Sequence, residues 1–97
     1  MTDQLVLHLK RKYFEAIKRG DKLLEYRLRT PYWKKRLVGR TYKTIMLLCG
    51  YPKATEEDKI ILCRWQGFEP QIIQHPHFGE KPVRVFAIYV DDKISTS

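Results

Sequence analysis

Residues 19 to 27 read Arg-Gly-Asp-Lys-Leu-Leu-Glu-Tyr-Arg and contain the spacing G-x-K-x-x-E-x-R. Gly20 suits the left-handed end of a helix, which puts Lys22, Glu25 and Arg27 on the strand that follows. Three charges of both signs therefore enter a segment that also carries Leu23, Leu24 and Leu28. Buried or half-buried charges are costly unless they pair or meet a polar ligand. The fold must bring these side chains to one another or open them onto a site.

The flanking sequence predicts short strands around two helices. Residues 4 to 10, rich in Val and Leu, read as a strand. Within residues 12 to 19, Tyr13, Ala16 and Ile17 mark one face of a helix, with Lys18 and Arg19 in its last turn. Residues 22 to 29 form a second strand. Its alternation places Leu24, Tyr26 and Leu28 on one face and Leu23, Glu25, Arg27 and Arg29 on the other. Thr30 is placed to cap a short helix with Pro31 at its first position, closed by Gly39. Apolar runs at 42 to 48, 59 to 65 and 83 to 90 read as three further strands. Residues 67 to 82 form a long irregular connection with one short strand or turn near 71 to 74. The tail from Asp91 reads as frayed. The expected class is α+β: five to six mostly antiparallel strands with two short helices, in a small closed or nearly closed barrel.

Ninety-seven residues hold one core, so residues 1–97 are read as a single domain with its core at about 4–91. A hydrophobic content of 43% suffices for that core. No apolar run approaches the ~20 residues of a membrane span, and the first residues lack the basic-then-apolar layout of a signal peptide. Cys49 and Cys63 lie in apolar runs and read as reduced core residues of a cytoplasmic protein. Two cysteines cannot build a Cys-only zinc site.

The net charge of +8 is unevenly placed. Residues 10 to 43 hold 13 basic and 3 acidic residues, a balance of +10, and the other 63 residues hold 6 and 8, a balance of −2. Excess charge concentrated around the G-x-K-x-x-E-x-R segment favours a polyanionic partner, RNA or another nucleic acid; the alternative is a basic surface that serves solubility alone.

Glu25 and Arg27, two apart on a strand, share a face, and Arg29 extends it. A carboxylate beside two guanidinium groups either stitches strand to strand or holds an Arg whose remaining donors meet phosphate or a base edge. Lys10, at the end of the first strand, is placed to join Lys22 in a cationic lip or to be solvated. Tyr32, Trp33, Lys34 and Arg36 interleave aromatics with cations, which suits base stacking beside backbone phosphate. Trp33 serves equally well to pack the short helix on the barrel. His75-Pro76-His77 has no carboxylate or Cys at ligand spacing, so neither a metal nor a cofactor is expected.

The segment 19 to 27, preceded by Leu7-His8-Leu9-Lys10 and by Tyr13-Phe14-Glu15-Ala16-Ile17, resembles the signature of the ASCH family, a branch of the PUA-like β-barrels. The resemblance spans roughly residues 5 to 90, and its specific motif residues 7 to 29. It implies a PUA-like barrel and a cleft for RNA or a nucleotide-like ligand, lined by the positions of Lys22, Glu25 and Arg27. Some ASCH-like proteins are ribonucleases, which makes Lys22, Glu25 and Arg27 candidate catalytic residues. One branch hydrolyses acetylated cytidine with a Thr nucleophile where this chain has Glu25, and a carboxylate cannot replace that hydroxyl. A third reading is a protein-interaction module whose basic surface meets an acidic partner.

Overall fold

The parallel pairing of β1 (Gln4–Leu9) with β3 (Thr44–Cys49) organises the computed structural model, which describes residues 3–96 without the side chains of His77, Ser95 and Thr96. Parallel neighbours need a crossover. Here it consists of α1 (Arg11–Arg19), β2 (Leu24–Leu28) and α2 (Pro31–Leu37). From β3 the chain turns back into β4 (Ile60–Arg64), and the tail returns as β7 (Lys93–Thr96) to close a sheet ordered β1-β3-β4-β7. A second, antiparallel sheet places β6 (Val83–Tyr89) between β2 and β5 (Phe68–Ile73). Single 3₁₀ turns occupy Glu57–Lys59 and Pro76–Phe78. The class is α+β, with seven strands in two sheets and two α-helices among the described residues.

Register explains the core. Leu5 and Leu7 lie opposite Ile45 and Leu47, which in turn face Cys63 and Ile61, so one side of the larger sheet is continuously apolar. Phe14 and Ile17 of α1 and Leu37 of α2 join that layer, as do Phe86 and Ile88 of β6. The described helices are all too short or too polar to cross a membrane.

Local signals in the chain set the turns. Gly20 ends α1 at φ 85°, and the amides of Asp21 and Lys22 both bond the Ala16 carbonyl, at 2.9 and 3.2 Å. Thr30 caps α2: its hydroxyl accepts from the Trp33 amide at 3.3 Å, and Pro31 fills the first helical position.

Several expectations need correction. The tail does not fray at Asp91. β7 pairs with the open edge of β4, and the Lys93 ammonium donates to the Ile17 and Lys18 carbonyls at 2.9 and 3.1 Å. Sequence separation hides such a contact, because α1 lies more than 70 residues away. The connection after Gly67 contains a full six-residue strand, β5, which pairs with β6 along its whole length. Lys22 precedes β2 rather than starting it, since the Gly20 turn holds its amide against α1. Glu25 and Arg27 lie opposite Ile88 and Phe86 of the shared core, so the charged face of β2 points inward while Leu28 is exposed. The apolar run at 83 to 90 becomes the central strand of its sheet, where Val85, Phe86, Ala87 and Ile88 are all buried.

Candidate functional site

β2 is an edge strand, and a cavity of about 340 Å³ opens along it. The end of β1 contributes His8, Leu9 and Lys10; α1 contributes Tyr13, and α2 Trp33. Lys22, Glu25, Tyr26, Arg27 and Leu28 come from the Gly20 turn and β2, and His75 and Phe78 from the loop after β5. Because β2 has no neighbour on this side, residues of both its faces reach the opening.

The three charged side chains of the sequence motif meet here. Glu25, only 7% exposed, lies between two cations. Its Oε1 is 3.6 Å from Lys22 Nζ and its Oε2 3.0 Å from Arg27 Nη2. Arg27 Nη2 also donates to the His8 carbonyl at 3.1 Å, which ties β2 to the end of β1. The guanidinium lies over the Trp33 ring at 5.1 Å, and the Lys22 ammonium over the rings of Tyr26 at 4.7 Å and Tyr13 at 5.6 Å. Each cation is thus held by the carboxylate on one side and an aromatic face on the other. Arg27 Nε is buried with no hydrogen-bond partner among the described residues.

Burial pushes the Glu25 carboxyl above its usual range, against the pull of Arg27 and Lys22, which lower it. Desolvation of a carboxylate this deep outweighs two neighbouring cations.

Lys10 and Lys22 both line the cavity, and Trp33 forms part of its wall. Arg29 and Lys34 fall outside it, in an adjoining groove with Arg84. Arg29 packs over the Phe86 ring at 5.5 Å. Tyr32 and Arg36 pair with each other at 4.6 Å and line neither opening. Sequence reasoning missed His8, Tyr13, Tyr26, His75 and Phe78 as wall residues. Tyr13 and Tyr26 flank the motif closely enough to have been suspected. His75 and Phe78 arrive from some 50 residues away on an irregular loop, and nothing in their neighbourhood signals it. His8 Nδ1 lies 2.8 Å from the Gly50 carbonyl, and its ring stacks on the exposed Tyr51 at 4.2 Å.

No group of three His, Cys, Asp or Glu side chains suited to a metal ion occurs among the described residues, and the His77 side chain lies outside them. Compared with family models, with curated proteins and with solved structures, the chain finds no match.

Proposed function

We infer that this protein binds RNA, or another single-stranded nucleic acid, by seating one nucleotide in the cavity beside β2. In this reading it is an ASCH-type domain whose two sheets are the walls of a PUA-like barrel. The observation that carries the reading is the convergence of Lys22, Glu25 and Arg27 in a cavity with aromatic walls. A flat basic face would favour extended RNA or a protein partner instead. A volume of about 340 Å³ lies at the lower end of the roughly 300–1,000 Å³ typical of small-ligand sites, so a free nucleotide-like molecule belongs to the same ligand class.

A base entering the cavity stacks on the aromatic wall, an interaction that contributes about 1–3 kcal/mol per base. Glu25 and the His8 carbonyl hold Arg27 through Nη2, which leaves Nη1 for a base edge or a phosphate. Lys10 at the rim supplies charge to the backbone. The free thiols Cys49 and Cys63 fit a cytoplasmic setting.

One observation favours a catalytic variant, a ribonuclease or modified-nucleoside hydrolase: the raised Glu25 carboxyl, shifted toward the range where a general base works. Against it, both Glu25 oxygens already face cations. Anisotropy of a labelled single-stranded RNA, titrated over a salt series, tests the binding reading. Neutralising about 4 to 6 phosphates gives a log–log slope near −3 to −4. Salt-independent affinity, or no binding at low salt, would remove it. The expected length of the RNA after incubation is unchanged; cleavage by the wild type that Glu25→Gln abolishes would move the protein into the enzyme class.

A further inference from the structure

Beside the cavity runs a second groove of about 390 Å³, lined by Leu28, Arg29, Thr30, Lys34, Val83 and Arg84. Leu28 and Thr30 line both openings, so the two are separated only at the junction of β2 and α2. Its three cations come from three parts of the fold: Arg29 follows β2, Lys34 sits on α2, and Arg84 lies on β6. The Arg29 amide donates to the Arg84 carbonyl at 3.2 Å, which fixes the two arginines as cross-strand neighbours. Arg84 therefore continues, on β6, the face that Glu25 and Arg27 occupy on β2 and that Arg29 extends just beyond it.

The chemistry of this groove differs from that of the cavity. Glu25 balances charge in the cavity, whereas no described carboxylate forms an ion pair with Arg29, Lys34 or Arg84. All three are exposed, and Ile72, opposite Arg84 on β5, is 69% exposed and adds an apolar flank. Two guanidinium forks and an ammonium without acidic partners suit phosphate oxygens. A groove that leads out of a base-sized cavity suits phosphates joined to the base held there.

We propose that the groove of Arg29, Lys34 and Arg84 binds the backbone phosphates that flank the nucleotide in the cavity, so that the ligand is a strand of single-stranded nucleic acid rather than a lone nucleotide. The proposal rests on the reading of the cavity as a nucleotide site. It adds Arg84, far from the motif in sequence, to the binding surface, and it gives the strand a path across the β2–α2 junction.

The experiment compares a labelled single-stranded RNA ten nucleotides long with a nucleoside monophosphate, for the wild type, for Lys34→Gln with Arg84→Gln, and for Lys53→Gln with Lys81→Gln. The last pair removes the same charge from exposed positions that line neither opening. The wild type is expected to bind the ten-mer at least tenfold more tightly than the monophosphate. In the Lys34/Arg84 variant that advantage shrinks, and the log–log salt slope for the ten-mer becomes shallower by about 0.7 for each phosphate no longer neutralised. The Lys53/Lys81 variant keeps the wild-type slope. An unchanged slope and length advantage in the Lys34/Arg84 variant overturns the groove while leaving the cavity reading intact. Equal slopes in the two double variants also overturn it, since net charge alone would then be responsible. A wild type that binds neither probe overturns both readings.

Discussion

Glu25 shows how one residue can be central to the site and costly to the fold at once. Its carboxylate is desolvated and reaches two cations, and desolvation is the larger effect on its protonation. A carboxyl whose pKa is raised by folding takes up a proton on folding. Its contribution to stability is full below the unfolded value and is lost as pH rises through the folded one. The wild type should therefore lose stability relative to Glu25→Gln as pH rises from about 4.5, the usual carboxylate value. Paired melting curves across pH 4 to 8 check this, and a wild type that gains on the variant would mean that the ion pairs dominate. Arg27→Ala acts differently. It strips the nearer cation from a buried carboxylate and should cost about 3 kcal/mol, the lower end for breaking a buried pair because Arg27 is partly exposed. Urea midpoints measure that cost. Under the proposed function, the same change should weaken RNA binding more than Glu25→Gln, whose effect is then expected at about 1–3 kcal/mol. RNA affinities taken where both variants remain folded separate the two.

At the level of elements, the site depends on how α1 ends. Gly20 turns the chain with φ 85°, and a Cβ built there would meet nothing within 4 Å. Gly20→Ala therefore carries only the backbone penalty of a left-handed residue, about 1–2 kcal/mol, and should lower Tm by roughly 5–10 °C. Lys93 secures the same helix end from the other terminus by donating to two carbonyls of its last turn. Replacing it with Met removes charge-assisted hydrogen bonds at a cost of about 1.5–3 kcal/mol. Calorimetry of both variants checks these values. A Lys93→Met protein with wild-type Tm would show that β7 contributes nothing to α1.

Across the whole molecule, two sheets share one apolar layer, and Cys63 sits within it. Burial pushes its thiol up to about 11, and Sγ lies 3.5 Å from the Val90 carbonyl. Cys49 is only half-buried. Near neutral pH, alkylation of the folded protein should therefore spare Cys63 until the core opens, and Cys49 should react first. Peptide mass spectrometry after timed iodoacetamide treatment measures this. Modification of Cys63 at the rate of Cys49 would place an opening of the β4 edge well below global unfolding.

Several parts of the structure were legible because they depend on nearest neighbours in the chain. Gly20 as a helix stop, Thr30-Pro31 as a helix start and the common face of Glu25 and Arg27 follow from backbone sterics and the two-residue period of a strand. Lys22 reaches Glu25 from the Gly20 turn, ahead of β2, a convergence that the strand period alone does not supply. What sequence could not give is which face of β2 turns inward. That was decided by β6, whose Phe86 and Ile88 join the core and draw Glu25 and Arg27 to the same side. The aromatic wall from His75 and Phe78, the groove through Arg84 and the pinning of α1 by Lys93 likewise join residues distant in the chain. Such contacts form only when sheets pair and pack. Their energy comes from burial and cross-strand register, neither of which is written in any local stretch of residues.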